Sequence, residues 1–169
     1  MAVVQLLSVR PSDTAHVFMD NESPRNLTVE VVFVDENLVQ LETSFATHHW
    51  SARATAYTEF RHIAQFAARL SQFAETFSGD VSFEGGREAS PIGFLGMHFY
   101  PVDSSGHLVC HLRLGTDAPS DHRPEQIWAV SVELACEAAA LDTFIAGLRR
   151  IADTKSGKAI LRLSEDVKR

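Results

Sequence analysis

Apolar positions recur along this chain with two different periods, and the change of period marks its elements. From Thr55 to Gly79 (TAYTEFRHIAQFAARLSQFAETFSG) the spacing is helical. At 100° per residue Phe60, Ile63, Ala64, Ala67, Leu70, Ala74 and Phe77 share one face, flanked by Phe66, Phe73 and Tyr57. Arg61, His62, Gln65, Arg69 and Gln72 oppose them. Thr55 is the expected N-cap and Gly79 the expected stop. A second helical pattern runs from Glu137 to Asp153, with Leu141, Phe144, Ile145, Leu148, Ile151 and Ala152 on one side.

Elsewhere the period is two. Leu27–Asp35 alternates, with Leu27, Val29, Val31 and Phe33 on one face, and Leu38–Phe45 follows across a tight turn as the return strand of a hairpin. Thr47–Ala54 reads as a third strand leading into the first helix, and Asp80–Glu84 as a fourth after it. Pro91–Pro101 and His107–Leu114 form a second hairpin around Asp103-Ser104-Ser105-Gly106, and Ile127–Leu134 alternates on Trp128, Val130, Val132 and Leu134. Ala2–Val9 reads as a short edge strand and Pro11–Asn26 as a polar loop that carries His16. Thr154–Arg169 reads as a tail with room for one short strand, Ala159–Leu163. Alternating strands are half-buried, so the fold expected is α+β. It is a largely antiparallel sheet with both amphipathic helices packed on one face. Its core is expected to join Phe60, Leu70, Phe77, Phe144 and Leu148 to Val31, Leu41, Phe99 and Leu112.

Length and charge narrow the picture. The 169 residues suit one α+β domain over 1–154, with 1–26 as its N-terminal strand and loop and 155–169 as a basic tail. The net charge is −7, and it is unevenly spread. Residues 155–169 hold all three lysines and carry five basic and two acidic side chains, a net of +3. That leaves ten Arg against twenty Asp and Glu in the body, −10. Such a body argues against nucleic acid, whose phosphates need a basic face. It suits another protein, a basic one by charge, or a second copy of the chain. No apolar run approaches the roughly 20 residues that span a bilayer, so no membrane partner is expected. The start, MAVVQLLSVRPSD, lacks the basic n-region of a secretory signal, so the expected compartment is the cytoplasm. Cys110 and Cys136 have no paired spacing and sit among apolar residues, as reduced buried thiols do.

Candidate chemistry concentrates on the second hairpin. With Ser104 and Ser105 central in the turn, opposed residue numbers sum to 209. Met97 then faces Leu112 and Phe99 faces Cys110 on an apolar side. The other side places His98 opposite His111 and Tyr100 opposite Val109, with His107 and Arg113 on the same face. Two opposed histidines could share a metal ion, so His98 and His111 are the candidate pair. Spacing supplies no third ligand, and Arg113 beside them would repel a cation. The same face, His98, Tyr100, His107, His111 and Arg113, is the candidate interaction surface. His48 and His49 point to opposite sides of a regular strand, and Trp50 there reads as a packing residue. No GxSxG, HExxH or Walker loop occurs, and the body lacks any lysine for Schiff-base or P-loop chemistry. No catalytic residue and no cofactor is assigned from the sequence, and the enzyme question stays open with the balance toward no.

The run FATHHWSARATAYTEFRHIAQFAARLSQF, then FSGDVSFEG, an apolar strand, DSSGHLVCHLRL and a closing helix resembles a group of small bacterial proteins. The group is mostly uncharacterised and includes immunity-type proteins of polymorphic toxin systems. The shared features are Tyr57 and Phe60 at the helix, Glu84-Gly85 after a strand, and the aspartate-to-glycine turn before His107. The resemblance spans roughly Leu27–Asp153 and brings no catalytic residue with it. It implies a cytoplasmic, non-catalytic protein that binds and neutralises a protein partner. The alternative class is a small-molecule or metal-binding protein, with an enzyme among its members, which would need a pocket with convergent polar groups.

Overall fold

Strand β1 (Asn26–Val34) pairs antiparallel with β2 (Val39–Ala46), and β2 with β3 (Ser51–Thr58). Helix α1 (Phe60–Thr76) and β4 (Val81–Gly86) follow, then β5 (Phe94–Pro101), β6 (His107–Gly115), β7 (Ala129–Glu137), α2 (Ala138–Thr154) and β8 (Lys158–Arg162). The computed structural model describes residues 25–87, 92–103, 107–116 and 128–164. The expected strand Ala2–Val9, the loop before Asn26, the centre of the 104–106 turn and the chain beyond Ser164 lie outside them.

The fold is α+β, with two four-stranded antiparallel sheets instead of one. Sheet A has the order β3-β2-β1-β8 and sheet B the order β4-β5-β6-β7. The stretch read as a basic tail supplies β8, which pairs with Asn26–Glu30 of β1, so it completes sheet A. The sheets abut at two seams. At one, the end of β3 meets Gly85, Gly86 and Gly93. At the other, Cys136 bridges to Leu163 and the Ser164 N–H donates to the Ala135 carbonyl at 2.9 Å.

An internal repeat underlies this arrangement. Residues 50–86 and 128–164 align without a gap at a spacing of 78, covering β3-α1-β4 and β7-α2-β8. Both helices have 17 residues, both follow a glutamate (Glu59, Glu137), and both end in threonine (Thr76, Thr154). The next residue in each, Phe77 (φ 48°) and Lys155 (φ 56°), is left-handed and donates its N–H to the Phe73 or Ile151 carbonyl. Ser-Gly follows in both, with Gly79 and Gly157 at positive φ. The strand after each helix crosses to the other repeat's sheet, β4 beside β5 and β8 beside β1. The start of α1 lies by the end of α2, with Lys155 Nζ 5.6 Å from the centre of the Phe60 ring.

The core is a chain of rings between the layers. Phe66 of α1 lies 5.0 Å from Phe83 and 6.2 Å from Phe99, and Phe99 lies 6.1 Å from Phe144 of α2. Leu70, Leu148, Leu41 and Leu112 are buried around them, as expected. Phe60, Phe77 and Val31 are only partly buried, because the buried stripe of α1 is Ile63, Phe66, Ala67, Leu70 and Phe73. The stripe is thus rotated toward Phe66 from the one expected, and Ala64 faces solvent.

Three local expectations are corrected. Helix α1 begins at Phe60, not Thr55: Thr55–Thr58 completes the ladder with β2, burying Ala54, Ala56 and Thr58, and extended Glu59 precedes the helix. Its left-handed stop is Phe77, two residues before Gly79. In β1 a bulge at Val32 shifts the register, so Phe33 pairs with Gln40 on the outer face and leaves the core set. Phe33 is 52% exposed as a result.

One buried polar atom is unpaired. Thr43, on the inner face of β2, has no partner for its Oγ1 among the described residues. Thr43→Val removes that hydroxyl at nearly constant shape and should raise stability by about 1 kcal/mol. The check is the denaturant midpoint at unchanged slope. A loss of stability would show that the hydroxyl has a partner.

Candidate functional site

Among the described residues no helix lies on the outer face of sheet B, and the ladder sets its rows. Ser82, His98, His111 and Glu133 form one row across β4-β5-β6-β7, and Glu84, Gly96, Arg113 and Ser131 the next. The hairpin has the register expected of it, with His98 opposite His111, Phe99 opposite Cys110 and Met97 opposite Leu112. All five residues proposed from the sequence lie on this one face. His98, Tyr100, His111 and Arg113 cluster at its centre, while His107 sits at the edge, opposite Glu137.

Each central side chain is held by a partner from another strand or turn. His98 Nε2 donates to Asp80 Oδ2 at 2.9 Å, and its ring lies 5.0 Å from that of Tyr100. The Tyr100 hydroxyl donates to Glu133 Oε1 at 2.6 Å. That bond, followed by partial burial and the Glu133 charge, pushes the phenol up to about 12, so Tyr100 stays a neutral donor. Arg113 donates to Glu84 Oε1 at 2.7 Å and stacks 5.0 Å over Phe94. Gly96 makes room for that stack: a Cβ there would meet both the Phe94 ring and the Arg113 guanidinium. At the edge His107 Nδ1 donates to Asp103 Oδ2 at 2.6 Å.

The opposed histidines have separate partners. The Nε2 of His98 is engaged by Asp80, and that of His111 shares a 2.8 Å hydrogen bond with Ser131 Oγ. Among the described residues no group of three or more His, Cys, Asp or Glu could hold a metal ion. Cys110 and Cys136 are free and buried, and burial raises both thiols, Cys136 to about 12, so neither is poised as a nucleophile.

What the face adds to the sequence reading is its acids. Asp80, Glu84, Glu133 and Glu137 stand on it against the single Arg113 among described cations. A further correction concerns Trp50. It lies in the turn before β3 and is 75% exposed, so it packs against little. Trp128, its counterpart in the repeat, is 77% exposed and precedes β7 instead of joining it. Both carbonyls accept the N–H of a threonine, Thr47 or Thr116, at 2.8 and 2.9 Å. His48, His49 and His62 are exposed.

No protein-family model, no curated protein and no solved structure matches this chain. Among the described residues no helix is long and apolar enough to cross a membrane.

Proposed function

We propose that the chain is a non-catalytic, protein-binding domain that presents the outer face of sheet B to a basic partner. The observation that carries this reading is a sheet face with four carboxylates, whose central side chains are already fixed by cross-strand bonds. Fixed side chains lose little freedom on binding, and an acidic field speeds encounter with a cationic surface. The face offers Tyr100, Arg113 and the ring of His98 at its centre, and aromatic and arginine anchors are the residues that most often dominate an interface. The resemblance to immunity-type proteins supports the finer form of the proposal: a cytoplasmic bacterial protein that neutralises a toxin by covering its basic surface.

The test is co-expression with each basic protein that a neighbouring gene is found to encode, followed by gel filtration over a range of salt. The expected result is a complex that weakens as salt rises, because the contact is between opposite charges. A chain that elutes alone at low salt, or only as a dimer of itself, contradicts the proposal.

A further inference from the structure

The internal repeat lets the two outer faces be compared position by position. At the spacing of 78, Asp80 and Glu84 of sheet B correspond to Lys158 and Arg162 of sheet A, and Ser131 corresponds to Arg53. Two of the acidic positions on one face, Asp80 and Glu84, are therefore basic on the other. In sheet A the ladder places Arg53, Ser44, Thr28 and Ile160 in one row and Ser51, Ala46, Asn26 and Arg162 in the next. A groove of about 450 Å³ opens here, lined mainly by Asn26, Thr28, Ser44, Ala46, Ser51 and Arg53.

Among the described residues no carboxylate lines this groove. Glu42 and Glu30 stand one row further along, yet neither forms an ion pair with Arg53 or Arg162 among the described residues. The arginine of sheet B is arranged otherwise, since Arg113 is neutralised by Glu84. Arg53 lines the groove from β3, while Arg162 stands beside Asn26 on β8, outside the lining and three strand spacings of about 4.8 Å from β3, within reach of the groove's far edge for an extended arginine.

We propose that this groove binds the phosphate group of a small molecule. Two guanidinium groups match the charge of about −1.5 to −2 on a phosphate monoester, and each can present two parallel donors to its oxygens. The hydroxyls of Thr28, Ser44 and Ser51 and the amide of Asn26 supply further donors on the floor. In a chain of net charge −7, a patch that attracts anions must be local, and this one is. The assignment does not depend on the reading of sheet B.

The experiment is titration of the full chain, at constant ionic strength, with inorganic phosphate, glycerol phosphate and acetate, followed through backbone amide signals. The expected result is saturable shifts at Thr28, Ser44 and Arg53 with both phosphates and none with acetate. If only glycerol phosphate saturates, the ligand is an ester and the proposal stands. Arg53→Gln and Arg162→Gln should each weaken binding by about tenfold or more, the range for a charge-assisted hydrogen bond. Arg53→Lys keeps the charge but loses the fork, and should fall between. Arg149→Gln, on the exposed side of α2, should leave binding unchanged, and unshifted signals elsewhere report that each variant is folded. Equal response to acetate, no saturation, or unaltered binding in Arg53→Gln overturns the proposal.

Discussion

Phe66→Ala should lower stability by about 3–5 kcal/mol, the range for a fully buried aromatic ring. Phe66 has no exposed surface and touches Phe83 and Phe99, and through Phe99 it is joined to Phe144. Its removal would open a cavity where α1 meets sheet B and leave the lining without partners on one side. Phe60→Ala is the contrast. Phe60 lies at the fringe of the core with one face toward Lys155, and its loss should cost about 1 kcal/mol. Chemical denaturation of both variants checks the pair. Equal losses would mean that the buried stripe of α1 is centred elsewhere.

Gly93→Ala should cost about 3 kcal/mol or more, because two penalties combine there. Gly93 has φ +70°, and a Cβ would lie 2.0 Å from the Thr55 carbonyl oxygen. That oxygen belongs to β3, so the only relief is to move one sheet away from the other at the seam. Gly79 separates the two penalties. It has φ +78° but nothing within 4 Å of a Cβ, so Gly79→Ala should cost about 1–2 kcal/mol from backbone conformation alone. If the two variants lose the same stability, the close approach of the sheets at Gly93 is not what the structure describes.

The parts of this fold that were legible in the sequence are those set by short-range pattern. The β5–β6 hairpin could be registered because its turn is short and its two faces differ, with Met97, Phe99, Cys110 and Leu112 against His98, Tyr100, His111 and Arg113. The β1 bulge could not, because Val31 to Val34 is apolar at every position and alternation carries no information there. The start of α1 was misplaced because Ala54, Ala56 and Tyr57 satisfy either period, and pairing with β2 decides between them. The division into two sheets depends on which edges β4 and β8 join, and both are long-range choices.

The candidate surface divides in the same way. His98, Tyr100, His111 and Arg113 lie on one hairpin and were found together. Asp80, Glu84, Glu133 and Glu137 reach the same face through β4 and β7, whose pairings are made across longer connections. One signal was present and strong. Trp50 and Trp128, Glu59 and Glu137, Phe66 and Phe144, Leu70 and Leu148, and the Thr-x-Ser-Gly after each helix recur at a spacing of 78. Aligning the chain with itself exposes the duplication, and with it β8 as the counterpart of β4 and Trp50 as something other than a packing residue.

The central claim is that the acidic outer face of sheet B is the binding surface, and paired charge reversal tests it most directly. The affinity of the co-expressed partner would be measured for Glu84→Lys with Glu133→Lys and, as the control on sheet A, for Glu30→Lys with Glu42→Lys. The account predicts a loss of about tenfold or more for the sheet B pair, because like charges would then face a basic partner. The sheet A pair should bind as the unaltered chain does. Equal loss in both pairs, or full affinity in the sheet B pair, would contradict it.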